Sequence, residues 1–378
     1  MLRFLTAGES HGYALAGILE GMPSGVMIHI SFINNELARR QKGYGRGRRM
    51  AIEQDKAEIL SGLRNELTLG SPLALLIKNK DWTLDKLHPV TRPRPGHADL
   101  AGAIKYEHTD IRNVLERASA RETAMRVAIG AVCKQFIKEF GIEIISHVLA
   151  IGGVKADTSG LSFEKVRDLS SKSSISCADL KAEKLMIKTI DEAIAAKDSL
   201  GGVFEVIARG CPVGLGSYAH YDRRMNGILA QSLMSIQAIK AVEIGSGIES
   251  AQRRGSEVHD EIFYKKGRGF FHRTNRAGGI EGGMTTGEDV VLRCFMKPIA
   301  TLGSPLSSVD IISKKPFKAA VERSDICAVP AAAVVGEAQV AFELARALCE
   351  KFGGDSLVEM KRNYKGYEYH ISRIYGNR

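Results

Sequence analysis

The chain has 378 residues, with 53 Lys and Arg against 43 Asp and Glu, a formal net charge of +10, 44% hydrophobic and 6% aromatic residues. Its length allows one large domain or two to three ordinary ones. A mean hydropathy of −0.09, no apolar run near ~18 residues, a single Trp, and six scattered cysteines (Cys133, Cys177, Cys211, Cys294, Cys327, Cys349) without a Cys-x-x-Cys pair argue against a membrane-spanning helix, a base-stacking surface, a disulfide framework and a zinc site.

The start, MLRFLTAGESHG, has no apolar h-region or cleavage site, so a cytoplasmic protein is expected. In chain order, apolar periodicity predicts a helix from Asn34 (NNELARRQ), a helix from Ala51 (AIEQDKAEILSGL) and a strand from Pro72 (PLALLIKN). A long small-residue helix follows from Ala118, then strands from Ile142 (IEIISHVLAIGG) and Val203 (VFEVIARG). Residues 156–198 are rich in Ser, Lys and Asp. They read as an exposed excursion ending in an amphipathic helix near Ala182 to Ala196. Next come a helix from Asp222, a glycine-rich loop from Lys265 to Gly287, strands from Asp289 and Val309, and a helix from Pro330 (PAAAVVGEAQVAFELARALCEKFGG). The tail after Gly353 looks peripheral. The mixture is that of an α and β protein. No regular βαβ spacing and no GxGxxG after a strand occur, which disfavours a dinucleotide-binding domain. The helical segments from Ala118 and Pro330 each follow a Glu-Arg pair and end in Lys, Phe and Gly, a hint of internal duplication that would match Arg117 with Arg323.

Several short motifs could carry chemistry. GESHG, Gly8 to Gly12, sets Ser10 and His11 between glycines. RPRPGHAD, Arg92 to Asp99, holds His97 in a collar of prolines and arginines, where backbone freedom is small and an imidazole could be aimed. RRQKGYGRGRR, Arg39 to Arg49, has six basic residues and no acid, with glycines that break the helix. Arginine forks grip carboxylates and phosphates there, or the run is a solvated or RNA-binding arm. RASARE from Arg117 looks like a helix start with Ser119 as its cap. KPIAT spans Lys297 to Thr301, and ERSDICAVPAA sets Arg323 two residues before Asp325. No His/Cys cluster has metal-ligand spacing, so no metal is expected. These residues suit an enzyme acting on a small, multiply anionic substrate and do not fix the reaction.

Taken together and in order, GESHG, LARRQKGYGRGRR, RPGHAD, RASARETAMR, SIQAIKAVEIGSG, NRAGGIEGGMTTG, KPIATL and RSDICAVPAA resemble the chorismate synthase family from Leu5 to about Gly353. The resemblance implies an α+β fold, a β-α-β sandwich forming a single large catalytic domain over 1–353, and a peripheral tail over 354–378. It implies a homotetramer and no nucleic-acid or membrane partner. It implies a lyase that eliminates phosphate in an anti-1,4 sense from 5-enolpyruvylshikimate 3-phosphate to give chorismate, with reduced FMN and no net redox change. His11 matches the acid for the leaving phosphate, His97 the group that protonates or stabilises the reduced flavin, and Asp325 the carboxylate that works with flavin N5. Arg40 and Arg46 match a pair described as NADPH-binding; a substrate role suits them better, since a phosphate and two carboxylates need fixed cations. Arg117, Ala118, Ser119, Gln237, Ala238, Gly282, Lys297, Pro298, Ile299, Ala300, Thr301 and Arg323 match FMN-contacting positions. No added flavin-reductase domain is evident, so NADPH or another outside reductant is expected to supply reduced flavin. The stretch between Trp82 and Arg92 is shorter than in many relatives, and 156–198 has its own sequence.

Overall fold

The computed structural model describes residues 1–47, 54–322 and 324–376. Two antiparallel sheets face each other across a layer of helices. Sheet one contains β1 (Arg3–Ala7), β2 (Ala14–Glu20), β3 (Ala57–Ser61) and β4 (Leu73–Lys78) in the order β1-β2-β4-β3. Alternation sends Leu15, Leu19, Leu73, Leu75 and Ile77 inward. Sheet two contains β5 (Glu143–Ile151), β6 (Val154–Lys155), β7 (Gly202–Arg209), β8 (Ile239–Ile244) and β9 (Val290–Met296) in the order β8-β9-β7-β5-β6.

The helices are α1 (Ile30–Gln41), α2 (Asp99–Lys105), α3 (Arg112–Ala118), α4 (Thr123–Lys138), α5 (Phe163–Lys172), α6 (Leu180–Ala196), α7 (Met225–Met234), α8 (Val329–Phe352) and α9 (Leu357–Tyr375). The central pair is α4, which lies on sheet one, and α8, which lies on sheet two. These are the two segments that look alike in sequence. Small residues let them approach: a Cβ on Gly130 would collide with Ala338, and one on Gly336 would lie 2.7 Å from the Phe204 ring. α8 is buried on nearly every side, as its Ala- and Val-rich composition requires of a core helix. One apolar cluster runs from Leu2 and Leu15 through Met125 and Val340 to Phe204 and Leu292. The fold is α+β, a two-sheet sandwich around one core.

Local readings differ in places. The helix expected from Ala51 falls partly outside the described residues (51–53), and Ala57–Ser61 is edge strand β3. Its Ala, Glu and Leu favour helix, but pairing with β4 decides. The helix expected from Ala118 starts later: Ala118 closes α3, a single 3-10 turn spans Ala120–Glu122, and α4 begins at Thr123. Ser119, extended at φ −60 and ψ 140, makes the break, and its hydroxyl accepts the Arg121 N–H as a cap. The helix expected from Asp222 stops at Met234, and the chain turns at Ala238 into β8. The strand expected from Val309 ends there, because Asp310 takes the amides of Ile312 and Ser313 into a turn. Within 156–198, α6 forms near the expected place. α5 adds Phe163 and Val166 to a small apolar cluster on Ile145 of sheet two. The tail after Gly353 is largely α9, which buries Leu357 and Met360.

Candidate active site

A cleft of about 580 Å³ opens where the starts of α4 and α8 come together. Its wall is built from far-apart loops: Ser10 and His11, Arg40 at the end of α1, Arg46 and Gly47, Arg94 to Ala98, Ala118 to Thr123, Ile236 to Ala238, Met296 to Thr301 and Glu322 to Asp325. Two helix N-termini add positive potential at its floor. Among the described residues, six arginine and lysine side chains line it (Arg40, Arg46, Arg94, Arg112, Arg121, Lys297) against the carboxylates of Glu322 and Asp325. Further carboxylates, Asp55, Asp99 and Glu116, are buried behind these cations.

His11 enters from the turn after β1. Its Nδ1 lies 3.0 Å from both oxygens of Glu116, whose Oε2 also accepts the His11 backbone N–H at 2.7 Å. Burial pushes the Glu116 carboxyl up, but the His11 hydrogen bonds and the Arg112 charge outweigh it and hold the group below its usual range. His97 sits after Gly96, whose φ of +78 turns the collar. Its Nδ1 lies 2.6 Å from Asp99 Oδ1. Asp99 is fully buried, and Arg94 grips it through Nε at 2.8 Å. Desolvation opposes ionisation there, yet His97 and Arg94 hold the carboxyl well below the usual range. The Gly96 carbonyl accepts Lys297 Nζ at 2.7 Å, which joins the collar to the KPIAT segment.

Asp325 faces the same space. Arg46 Nη1 lies 2.7 Å from its Oδ2, and the Gly47 amide donates to its Oδ1 at 2.7 Å. Arg40 is 4% exposed. Its Nε donates to Thr123 Oγ1 and its Nη2 to the Ala120 carbonyl, both at 2.9 Å. Its Nη1, 3.6 Å from Asp55, makes no hydrogen bond. Burial pulls this guanidinium down to about 10, against the attraction of Asp55, so it stays charged at neutral pH. Gln237 gives its amide N–H to Glu122, while its buried Oε1 has no hydrogen-bond partner. Ala238 holds φ +67, a left-handed conformation that costs a non-glycine residue about 1–2 kcal/mol.

These polar atoms, beside the apolar faces of Ile236, Met296, Ile299, Ala331 and Val335, suit a flat ring bearing hydrogen-bonding edges and a multiply charged anion. A family model described as chorismate synthase matches residues 2–349. The chain belongs to the chorismate synthase family. The chorismate synthase of Geobacter metallireducens is 55% identical over 97% of this chain and 98% of its own. That of Desulforudis audaxviator is 55% identical over 100% of this chain and 99% of its own. A crystal structure of a chorismate synthase, 45% identical, covers 99% of each chain with a TM-score of 0.83. The protein is thus an enzyme of chorismate synthase type, a phosphate lyase of aromatic biosynthesis acting on a small anionic substrate.

Against the positions that the chorismate synthase resemblance singled out, the cleft brings together His11, His97, Asp325, Arg40, Arg46, Ala118, Ser119, Gln237, Ala238, Lys297, Ile299, Ala300 and Thr301. Pro298 lies between two wall residues. Arg117 turns instead to the edge of β1, donating to the carbonyls of Thr6 and Gly8. Gly282 sits in the hairpin Ile280–Thr285, off the cleft wall. Arg323, and Arg48 and Arg49 of the basic run, lie outside the described residues. Of that run, Arg39 pairs with Glu36 and Glu337, and Arg40 and Arg46 line the cleft. These three are therefore committed to the protein's own carboxylates and to the cleft.

Sequence reasoning passed over Arg94, Asp99, Arg112, Glu116 and Arg121. Two signals were present: Arg94 and Asp99 flank His97, and Arg112 and Glu116 stand at i, i+4 on one helix face. Among the described residues, no helix is long and apolar enough to cross a membrane, and no His/Cys/Asp/Glu group could hold a metal.

Proposed function

We propose that this enzyme converts 5-enolpyruvylshikimate 3-phosphate to chorismate and phosphate by anti-1,4-elimination, with reduced FMN in the cleft. The observation that carries this reading is the convergence of His11, His97 and Asp325, each fixed by a charged partner, on one cationic cleft.

The residues fit a flavin and a phosphorylated dicarboxylate. The Gln237 Oε1 and Arg40 Nη1 atoms are buried without hydrogen-bond partners, and such groups are costly unless a ligand meets them. Ala118, Ser119, Gln237, Ala238 and the Lys297–Thr301 segment would hold FMN. For Arg117, Gly282 and Arg323 the support is the resemblance alone. When bound, reduced FMN supplies an electron-rich ring that lends an electron to the substrate as phosphate leaves, with no net redox change.

The chain's own groups do the rest. Arg40 and Arg46 bind substrate anions, where a fork gives direction as well as charge. His11, its Nδ1 turned to Glu116, delivers a proton from Nε2 to the departing phosphate oxygen. His97 supplies a proton or positive charge to the reduced ring. Asp325 is the carboxylate that assists loss of the C6 hydrogen. The stiff collar keeps His97 within reach of its target, which a floppy loop would not. The reading includes an outside source of reduced flavin, with NADPH or another reductant behind it, and a cytoplasmic homotetramer.

The test mixes the protein anaerobically with the phosphate substrate and chemically reduced FMN. Chorismate absorbance and released phosphate should rise together and be absent with oxidised flavin. FMN binding without product would mean another substrate.

A further inference from the structure

The two histidines of the cleft are held by the same three-part device. Behind His11 stands Glu116, 1% exposed at its side chain, and behind Glu116 stands Arg112, with Nη1 3.3 Å from Oε1. Behind His97 stands Asp99, fully buried, and behind Asp99 stands Arg94, which donates its backbone N–H, Nε and Nη2 at 2.8 to 3.0 Å. In both, Nδ1 is the ring atom that faces the carboxylate. Arg94 also reaches the segment that carries Lys297, and Arg112 the one that carries Asp325. Arg94 Nη1 donates to Thr301 Oγ1 at 2.8 Å, and Arg112 Nη2 to Glu322 Oε1 at 3.0 Å.

We propose that Glu116 and Asp99 are positioning residues for the elimination, each setting the tautomer and aim of its histidine so that Nε2 faces the cleft, and each anchored by its own arginine. The argument is one of donors and acceptors. A carboxylate only accepts hydrogen bonds, so the nitrogen beside it must carry the hydrogen. For His97 an Arg94 N–H also stands 3.1 Å from Nδ1, but the Asp99 oxygen at 2.6 Å is nearer, so Nδ1–H is assigned on both rings and Nε2 is left as the atom that exchanges a proton in the cleft. The carboxylate also balances the positive charge that the ring carries when it acts as an acid. The arginines stop the carboxylates from rotating and tie His97 to the Lys297–Thr301 segment and His11 to the loop that bears Asp325. The proposal rests on the acid roles given above to His11 and His97.

The test has a readout that loop stability alone would not move. The full chain, labelled with 15N at histidine, is examined by long-range 1H–15N correlation at a pH where the rings are neutral, with His11→Ala and His97→Ala to assign signals. Both rings should be Nδ1-protonated; an Nε2–H tautomer in either overturns the proposal, whether or not any variant folds. Asp99→Asn and Glu116→Gln then place an NH2 donor beside the ring, since the stronger donors claim the amide carbonyl. Turnover should fall about 10²-fold or more, the scale of a general acid, with KM within about twofold, and the altered ring should shift toward the Nε2–H tautomer. Glu116→Asp, which keeps the charge, should recover part of the rate. Native turnover with native ring signals in Asp99→Asn and Glu116→Gln, while His11→Ala and His97→Ala are inactive, would sink the positioning role alone. Native turnover in the two alanine variants would remove the acid roles beneath it.

Discussion

Gly47 and Asp325, 278 positions apart in sequence, meet at the cleft: the glycine amide donates to Oδ1 at 2.7 Å. A side chain is excluded there, since a Cβ on Gly47 would lie 2.9 Å from the Ser324 carbonyl. Gly47→Ala must therefore push Ser324 and its neighbour Asp325 outward. Turnover should fall at least about 10-fold, because small displacements of a reacting group cost rate steeply, while the melting temperature changes little. A native kcat in the anaerobic assay would count against Asp325 as a fixed catalytic carboxylate.

Arg40 lines the cleft, and its buried Nη1, 3.6 Å from Asp55, makes no hydrogen bond. Arg40→Lys keeps a charge but loses the fork. The KM for the phosphate substrate should rise about 10-fold or more, with FMN affinity, read by fluorescence titration, nearly unchanged. Loss of FMN affinity with an unchanged KM would move Arg40 from substrate to cofactor.

Glu337, fully buried on α8, is clasped by Arg39, by Lys134 and by the Ser146 hydroxyl. Burial raises this carboxyl, yet Arg39 and Lys134 hold it well below its usual range. Glu337→Gln removes the fully buried one of the two carboxylates, Glu36 being the other, that balance Arg39 and Lys134. Breaking a buried pair costs about 3–5 kcal/mol, so the denaturant midpoint should drop clearly. A midpoint equal to wild type would show the network to be energetically neutral.

Glu343, also on α8, is pushed up to about 7 by burial, with Arg346 opposing. An unfolded glutamate titrates near 4.5. Between those values the unfolded chain has released this proton and the native chain has kept it, so stability falls as pH rises from about 4.5 to 7 and stays lower above. Below 4.5 the site adds no penalty. Glu343→Gln should therefore stabilise the protein at pH 8 by up to roughly 3 kcal/mol and by almost nothing at pH 4. Equal melting gains at both pH values would contradict the buried-proton account.

Much of the core was legible because its signals are local. The runs PLALLIKN and DVVLRCFM became β4 and β9, and the small-residue helix from Pro330 became α8. The site's loops were legible through glycine, proline and arginine motifs of odd composition. What stayed hidden depends on partners distant in sequence. β3 is a strand because β4 lies beside it. Arg112 and Glu116 read as an ordinary helical ion pair until the fold sets His11 against them. Nothing in the local sequence around Arg117 shows that its guanidinium donates to the carbonyls of Thr6 and Gly8 at the edge of β1.

The cleft's reacting side chains stand at positions 11, 97 and 325, two in the first third of the chain and one near its end. His11 and His97 find their carboxylates, Glu116 and Asp99, early in the chain, but a growing chain must be almost complete before Asp325 can join them. Contacts of such span are slow to form, because the loop entropy is lost before the contact is gained. Recovery of activity on refolding should therefore be the last event, following the return of helical signal.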